Sequence, residues 1–257
     1  MTALDGIVAQ TREAVAERRG RRPLPEVTPS GDGARLRAAL AAPGVGVIAE
    51  FKRRSPSAGV LAAAPDLLAV VGAYERGGAV ALSILTEEAN FAGNLDDLRA
   101  ARAASALPLL RKDFVVDEYQ LRESVDVGAD AVLLIVAALD QEDLVRLHDR
   151  ATELALDALV EVHDAEELRR ALDAGARLIG VNNRDLRDLS VDVTRTQSLM
   201  PLVPDGVTVV SESGISTAEQ VRVLAAAGVD GVLVGESLMR SGDPADAVRV
   251  LSAGSGI

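Results

Sequence analysis

Short apolar segments that alternate with longer helical stretches constrain the fold of this chain more than any other feature. From residue 45 onward there are eight such segments, at residues 45–51, 79–85, 107–110, 131–136, 158–162, 178–181, 207–210 and 231–234. Nearly continuous apolar character is typical of parallel strands that are buried on both faces. The stretches between them, for example 164–174 and 217–227, are rich in Ala, Leu, Glu and Arg, and several are followed by a glycine. A glycine suits the end of a helix, so the repeating unit is predicted to be strand, loop and helix.

Eight strand and helix pairs in roughly 210 residues predict an α/β fold, and specifically a closed (β/α)8 barrel, rather than an open sheet. The sequence contains no dinucleotide fingerprint and no P-loop, which weakens the case for an open nucleotide-binding sheet. Apolar residues recur at helical spacing near the start of the chain and predict an extra N-terminal helix. We therefore expect one domain over residues 1–257, with a helical extension at 1–44 and the barrel at 45–257.

The balance of charge argues against two classes of partner. The chain has 39 acidic and 27 basic residues, and its formal net charge is -12. Such a charge repels the phosphates of nucleic acids and anionic membranes. We interpret the one dense basic run, residues 18–22, as a solvated helix end. Neither a signal peptide nor a membrane span is predicted, because the first twenty residues carry charges and no apolar stretch reaches about 18 residues. We therefore expect a cytoplasmic protein.

Lysine is almost absent from this chain. Only Lys52 and Lys112 are lysines among the 27 basic residues, and each follows an apolar segment. Arginine stays protonated at any accessible pH, whereas a desolvated lysine can lower its pKa and exchange a proton. We therefore interpret both lysines as functional residues in acid–base chemistry.

The residue types that bind metals or act as nucleophiles give little signal. The absence of cysteine excludes thiolate catalysis and thiolate metal sites. Two histidines that are far apart in sequence offer little support for a metal site or a nucleophilic triad. We expect no metal, and we expect His148 and His163 to be structural or surface residues.

Polar residues follow several of the predicted strands, where the catalytic groups of a (β/α)8 barrel stand. Because side chains alternate along a strand, Glu50 and Lys52 share one face of the first strand. Lys112 has the corresponding position on the third strand and Glu161 on the fifth. If these faces point inward, the four charges converge at one end of the barrel. Any one pair taken alone could equally be a structural ion pair, but four convergent groups that include both lysines favour an active site.

The loops after the seventh and eighth strands predict a phosphate site. Gly214 precedes a helix in which Ser216 and Glu219 have the spacing of a capping box, and Gly235 and Glu236 open the last helix. Glycines let backbone N–H groups approach a ligand, and helix N-termini favour anions. Turn and capping chemistry would explain either loop by itself. Both loops together favour phosphate, which barrels of this kind commonly bind at this position.

Aromatic residues are sparse, and their positions are informative. Phe91 and Phe114 lie just beyond the second and third strands, on the side of the predicted site. They are therefore candidates for the wall of a pocket that holds an aromatic ligand. Phe51 alternates away from Glu50 and Lys52, so we expect it to pack against helices.

Five segments of the chain resemble the indole-3-glycerol-phosphate synthase family. They are IAEFKRRSPS at 48–57, LRKDF at 110–114, LVEVH at 159–163, GVNNRDL at 180–186 and SESGI at 211–215. The resemblance runs in order from about residue 4 to residue 239. It implies a (β/α)8 barrel with an N-terminal helical segment and a lyase of tryptophan biosynthesis. The implied reaction converts 1-(2-carboxyphenylamino)-1-deoxyribulose 5-phosphate into indole-3-glycerol phosphate, carbon dioxide and water.

Matched position by position, the resemblance implies roles for individual residues. Lys112 would be the general acid of ring closure, Glu161 the acid–base partner in the dehydration, and Lys52 the group that holds the substrate carboxylate. The implied catalytic residues are Glu50, Lys52, Lys112, Glu161, Asn182 and Ser213. The implied substrate-binding residues are Ser57, Phe91, Phe114, Arg184 and Glu212, and the implied phosphate-binding residues are Gly214, Gly235 and Glu236. The Glu236 carboxylate would have to point away from the phosphate. No cofactor and no metal is implied.

Two other functions are compatible with the same residues. A Schiff-base aldolase would use Lys112 or Lys52 as its nucleophile, and a non-catalytic barrel would only bind a sugar phosphate. In all three cases the partner is a small anionic molecule. Because the sequence ends soon after the helix that follows the eighth strand, we expect a monofunctional enzyme. We also expect a monomer, and association with other tryptophan-pathway enzymes stays open.

Overall fold

Parallel strands form a continuous sheet in which the last strand pairs with the first. The structure is a computed structural model that describes residues 3–24, 33–61, 65–185 and 189–255. The strands are β1 (Gly46–Phe51), β2 (Ala81–Leu85), β3 (Leu109–Lys112), β4 (Ala131–Ile135), β5 (Asp157–Val162), β6 (Leu178–Asn182), β7 (Thr208–Glu212) and β8 (Gly231–Val234). Within the described residues these eight strands close a barrel in the order β1-β8-β7-β6-β5-β4-β3-β2. The predicted (β/α)8 fold is therefore confirmed.

Helices cover the outside of the barrel and both of its ends. They are α1 (Ala3–Arg21), α2 (Arg35–Leu40), α3 (Leu67–Gly77), α4 (Leu95–Ala104), α5 (Glu118–Asp126), α6 (Gln141–Glu153), α7 (Ala165–Asp173), α8 (Arg195–Leu199), α9 (Ala218–Ala226), α10 (Glu236–Met239) and α11 (Pro244–Ser252). The predicted helices at 164–174 and 217–227 correspond to α7 and α9. In the ranges that the structure describes, no helix combines the length and the apolar character that crossing a bilayer requires.

Two details of the sequence-based prediction are wrong. The third strand was expected at 107–110, but it is Leu109–Lys112, because Pro108 has no N–H to donate to the ladder. The capping box expected at Ser216 is formed one residue later, by Thr217 and Gln220. Residue 186, the last of the fourth motif, lies outside the described residues.

Apolar side chains on one face of each strand fill the interior of the barrel. Ile48, Leu110 and Leu159 belong to one cluster there and are fully buried. Because side chains alternate along a strand, the residue two positions further on points to the same side. Glu50 and Lys112 therefore extend the inward face of β1 and β3 to the carboxyl-terminal end of the barrel.

The opposite end of the barrel is closed by α2. Leu36 and Leu40 of this helix pack into the interior cluster. The backbone N–H groups of Leu36 and Arg37 donate to the Asp157 carboxylate at 2.9 and 3.1 Å, which caps the first turn of α2 from β5. The interior of the barrel is therefore closed at this end.

The basic end of α1 docks on the acidic helix α5. Arg18 Nε lies 2.9 Å from Glu123 Oε1, and Arg19 and Arg22 pair with Asp117 and Asp126 at 3.0 and 3.1 Å. The interpretation of residues 18–22 as a solvated helix end is confirmed for residues 19–22, which are exposed, but it missed the half-buried Arg18 and the ion pairs that these arginines make with α5. Their partners are about 100 residues away in sequence, so a pattern local to the run does not indicate them.

Arg111 connects this docking contact to the strand that carries Lys112. Its side chain is only 1% exposed, and Nη2 lies 2.9 Å from Asp113 Oδ2 and 3.2 Å from Glu123 Oε2. Arg111 and Asp113 flank Lys112 in sequence and point away from the barrel interior. Glu123 is shared with Arg18 of α1, so one buried ionic network joins α1, α5 and the end of β3.

We predict that replacing Arg111 will strongly destabilise the protein. The Arg111→Met substitution leaves two buried carboxylates without their common partner, and breaking a buried pair in this way costs about 3–5 kcal/mol. The control is Arg19→Met, which removes a largely exposed ion pair and should cost less than about 1 kcal/mol. Urea unfolding followed by circular dichroism measures both changes. Equal losses of stability in the two variants would contradict the role given to the buried network.

Candidate active site

A cavity of about 530 Å³ lies at the carboxyl-terminal end of the barrel. Every residue that the sequence analysis assigned to the site lines this cavity. Leu4 and Ile7 of α1 contribute apolar wall on one side. The strand ends and the loops after them thus bring together residues that are far apart in the sequence.

The Lys112 ammonium group lies between two buried carboxylates. Its Nζ is 3.1 Å from Glu161 Oε2 and 3.2 Å from Glu212 Oε2. The three side chains come from the ends of β3, β5 and β7. A second pair lies on the same wall, with Lys52 Nζ 2.6 Å from Glu50 Oε1. The four charges expected from strand alternation therefore meet in one cavity, together with Glu212.

The surrounding carboxylates raise the pKa of Lys112. Burial alone would lower this pKa, but the negative charges of Glu161, Glu212 and Glu50 outweigh burial. The expectation that a desolvated lysine here would have a lowered pKa is therefore wrong for Lys112. At neutral pH the nitrogen carries its proton, so Lys112 can donate a proton but is a poor nucleophile.

The two carboxylates beside Lys112 differ in pKa. Burial raises the pKa of Glu212 to about 7, and Lys112 offsets this only in part. The pKa of Glu161 is lowered, because Lys112, His163 and a hydrogen bond from Asn182 together outweigh its burial. Glu212 Oε1 has no hydrogen-bond partner among the described residues. Glu161 is thus the stable carboxylate, and Glu212 exchanges its proton near neutral pH.

Asn182 at the end of β6 orients Glu161. Its Nδ2 donates to Glu161 Oε1 at 3.1 Å, and its Oδ1 accepts from Ser213 Oγ at 2.8 Å and from the Arg184 backbone N–H at 3.0 Å. The side-chain amide is therefore fixed in one orientation. Ser213 has a φ of 65°, a left-handed conformation that is uncommon for residues other than glycine. Such strain is typical of functional sites.

Two glycines make room for carboxylates of the site. A Cβ atom at Gly180 would collide with Glu212 Oε1, and a Cβ atom at Gly235 would collide with Glu50 Oε1. Gly235 was expected to admit a phosphate, and its contact with Glu50 adds a second reason for a residue without a side chain. The absence of a side chain at these two positions therefore leaves space for the carboxylate side chains beside them.

The loops after β7 and β8 form the end of the cavity that was expected to bind phosphate. Gly214 and Gly235 line it, together with the cations Arg184 and Arg240. The Glu236 carboxylate lies 3.9 Å from Arg184 and 3.4 Å from Arg240, so it is directed at the two cations of this wall. The sequence analysis missed Arg240, although its spacing of four residues from Glu236 is a signal for pairing on a helix.

The aromatic wall has the position that the sequence indicated. The ring centroids of Phe91 and Phe114 are 6.4 Å apart, with an angle of 41° between their planes. Both rings line the cavity. Phe51 is instead 1% exposed and packs in the outer core, as predicted.

One of the two histidines lies next to the charge cluster. His163 Nε2 is 3.5 Å from Glu161 Oε1, whereas His148 lies in α6. The expectation that both are merely structural or surface residues overlooked this contact. His163 is two residues beyond Glu161, so alternation along the extended chain places both side chains on the same side. This spacing is the sequence signal that could have predicted the contact.

Known proteins match almost the whole length of this chain. A family model described as indole-3-glycerol phosphate synthase matches residues 4–251. A protein of that name from Kineococcus radiotolerans is 52% identical, over 98% of this chain and 96% of the relative. Another, from Mycobacterium avium, is 50% identical over 97% of this chain and 93% of the relative. Among solved structures, 3-hexulose-6-phosphate synthase from Salmonella typhimurium is similar in fold, with a TM-score of 0.67, 16% identity and coverage of 82% of this chain and 98% of that one.

We predict that Glu212 makes the protein less stable as pH rises. Its pKa is higher in the folded state than the ordinary value of 4.5, so the folded protein holds this proton more tightly than the unfolded chain does. The free energy of unfolding should therefore fall between about pH 5 and pH 7, and each pKa unit corresponds to about 1.4 kcal/mol. In the Glu212→Gln variant, the fall in the free energy of unfolding over this pH range should be smaller by more than about 1 kcal/mol. Chemical unfolding at several pH values provides the measurement.

The matched control for this titration is Glu166→Gln. Glu166 is exposed and its pKa is lowered, chiefly by a hydrogen bond from Arg169, so it does not titrate in this window. Its substitution should leave the slope of stability against pH unchanged. The same slope in the wild type and in Glu212→Gln would rule out a raised pKa for Glu212.

Proposed function

The chain belongs to the indole-3-glycerol phosphate synthase family, and on that premise we propose that the cavity is the active site, with Lys112 and Glu161 as its proton-transfer groups. The reaction closes the pyrrole ring of 1-(2-carboxyphenylamino)-1-deoxyribulose 5-phosphate and releases carbon dioxide and water. The observation that carries the assignment is the buried Lys112 ammonium group between Glu161 and Glu212. A protonated donor and an ionised acceptor are thereby in contact inside one cavity.

The lining of the cavity supports one orientation of the substrate. Its aryl ring fits the apolar side, where Phe91 and Phe114 are neighbours. Its phosphate fits the opposite side, beside Gly214, where Arg184 and Arg240 supply positive charge. The substrate carboxylate then lies near Lys52, a further cation that lines the cavity. Binding both anionic groups leaves the reacting carbonyl near the Lys112 ammonium group.

Ring closure requires a proton at the carbonyl oxygen. As the ring carbon that bears the carboxylate attacks the carbonyl carbon, negative charge develops on the oxygen, and Lys112 Nζ donates a proton to it. A preorganised ammonium group stabilises such charge without reorganisation. The attacking aryl ring has lost its aromaticity, and cleavage of its bond to the carboxylate restores aromaticity and releases carbon dioxide. The tight contact between Lys52 and Glu50 keeps a cation beside this carboxylate until it leaves.

Dehydration requires a proton donor and a proton acceptor. Lys112, which has regained a proton from solvent after ring closure, donates it to the new hydroxyl group, and this group leaves as water. A proton is lost from the adjacent carbon of the new ring, and the indole forms. Glu161 accepts this second proton, because its lowered pKa keeps it ionised. The hydrogen bond from Asn182 fixes the direction of the accepting carboxylate.

The charge state of Lys112 argues against this residue as the nucleophile of the competing aldolase. A Schiff base forms only from a neutral amine, and the raised pKa of Lys112 keeps that nitrogen protonated. A barrel that only binds a sugar phosphate would not need a buried donor and acceptor in contact. We propose further that the enzyme acts in the cytoplasm on a small anionic substrate and without a nucleic-acid or membrane partner. Its negative net charge of -12 supports this.

We predict that Lys112→Ala lowers the rate of indole-3-glycerol phosphate formation by about 10²- to 10⁴-fold, which is the usual contribution of a general acid. Lys112→Arg should remain severely impaired, because a guanidinium keeps the charge but does not release a proton. The purified chain is assayed with the carboxyphenylamino-deoxyribulose phosphate by indole fluorescence, and the lack of tryptophan keeps the background low. Undiminished product formation by Lys112→Ala would refute its role, and a borohydride-trapped adduct would favour the aldolase.

We also predict that Gly235→Ala impairs the enzyme. The new methyl group would displace the Glu50 carboxylate and with it Lys52, and a misplacement of about 1 Å can cost about 100-fold in rate. We expect kcat/KM to fall at least about 10-fold. Gly242→Ala is the matched control, because a Cβ atom there meets no atom within 4 Å and activity should be unchanged. Wild-type kinetics in Gly235→Ala would contradict the need for this close approach.

A further inference from the structure

His163 lies directly behind the carboxylate that accepts the proton. Its Nε2 is 3.5 Å from Glu161 Oε1, and the other oxygen of that carboxylate bonds to Lys112. The His163 side chain is 11% exposed and does not line the cavity. It can therefore act on the reaction only through Glu161, and not by contact with the substrate.

Glu167 at the start of α7 holds the imidazole ring from the other side. Its Oε2 lies 2.9 Å from His163 Nδ1 and also accepts the His163 backbone N–H at 2.8 Å. Both ring nitrogens thus lie near carboxylate oxygens. Nε2 has no hydrogen-bond partner among the described residues, so its contact with Glu161 at 3.5 Å is one of charge. Such a contact is favourable only when the ring is the imidazolium, whose positive charge is shared by both nitrogens.

We propose that His163, held by Glu167, is a positioning residue whose imidazolium keeps Glu161 oriented and ionised while Lys112 gives up its proton. This inference rests on the proposed roles of Lys112 and Glu161. Lys112 is the other cation next to Glu161, and it becomes neutral when it protonates the substrate. A second cation that takes no part in that proton transfer keeps Glu161 ionised at the step where Glu161 must accept a proton.

The charges around the two groups agree with this role. Burial opposes the imidazolium, but the hydrogen bond to Glu167 and the charge of Glu161 outweigh it and raise the pKa of His163. Arg195 of α8 acts in the opposite direction, but more weakly. The pKa of Glu161 is lowered despite its burial, first by Lys112 and then by His163. The charged neighbours of this pair that shift the two pKa values are thus Glu167, Arg195 and Lys112.

A titration of the imidazole signals by NMR tests the charge state without any assay of activity. The chain has two histidines, and His148→Gln assigns both signals. His163 should titrate above its ordinary value of 6.5, whereas His148, whose pKa is lowered by burial, should titrate below it. In Glu167→Gln and in Glu161→Gln the His163 midpoint should fall by about one unit or more, since a nearby opposite charge shifts a pKa by about 1–3 units. A His163 that titrates at or below 6.5 in the wild type overturns the proposal.

The pH profile of kcat/KM separates positioning from a structural role. Removal of the imidazolium in His163→Gln raises the pKa of Glu161, so the acidic limb should move to higher pH by about one unit, while the rates converge with the wild type at alkaline pH. His148→Gln is the matched control and should keep the wild-type profile. A loss of rate by the same factor at every pH in His163→Gln would mean a structural role and overturn the proposal.

Failure of this inference can be told apart from failure of the proposed function. If the wild-type chain formed no indole-3-glycerol phosphate, the proposed function would fail, but the NMR titration would still decide the charge state of His163. If His163→Gln folded poorly, Glu167→Gln would provide the same comparison from the other side of the ring. An unshifted acidic limb in a well-folded Glu167→Gln enzyme would count against the imidazolium.

Discussion

A buried ammonium group shared by two carboxylates is the interaction on which the rest of the site depends. Lys112 can remain charged inside the barrel only because Glu161 and Glu212 lie within about 3 Å of it. Burial raises the pKa of Glu212 to about 7, and the charges of Glu161 and Glu50 add to this effect. One of the two neighbours of Lys112 therefore exchanges protons near neutrality while the other stays ionised. Proton transfer at neutral pH needs both kinds of group in one place.

The barrel makes this arrangement possible through its strand register and through the residues around the strand ends. On the inside, Gly180 and Gly235 leave space into which the carboxylates of Glu212 and Glu50 extend. On the outside, Arg111 ties the end of β3 to α5 and, through Glu123, to α1. The helix whose apolar residues line the cavity is therefore fastened to the strand that carries Lys112. The wall of the cavity and the position of Lys112 thus depend on one ionic network.

Much of this could be predicted from the sequence, because both the fold and the inward face follow from local periodicity. Eight apolar segments between helical stretches indicated the barrel, and alternation along each strand placed Glu50, Lys112 and Glu161 on its inner face. The docking of Arg18 could not be predicted in this way, because its partner Glu123 is 105 residues away in sequence. Arg240 and His163 were also missed, although both are close in sequence to their partners and their spacing carried a signal.

The sequence by itself determined the order of strands and helices and the set of polar residues that collect at one end, since short-range periodicity dictates which face of each element is buried. Only the tertiary structure decided the charge states. Sequence reasoning expected a buried lysine to lose affinity for its proton, whereas three carboxylates from other strands strengthen that affinity at Lys112. A pKa depends on distances between groups that come from different parts of the chain, and those distances exist only after the barrel has closed.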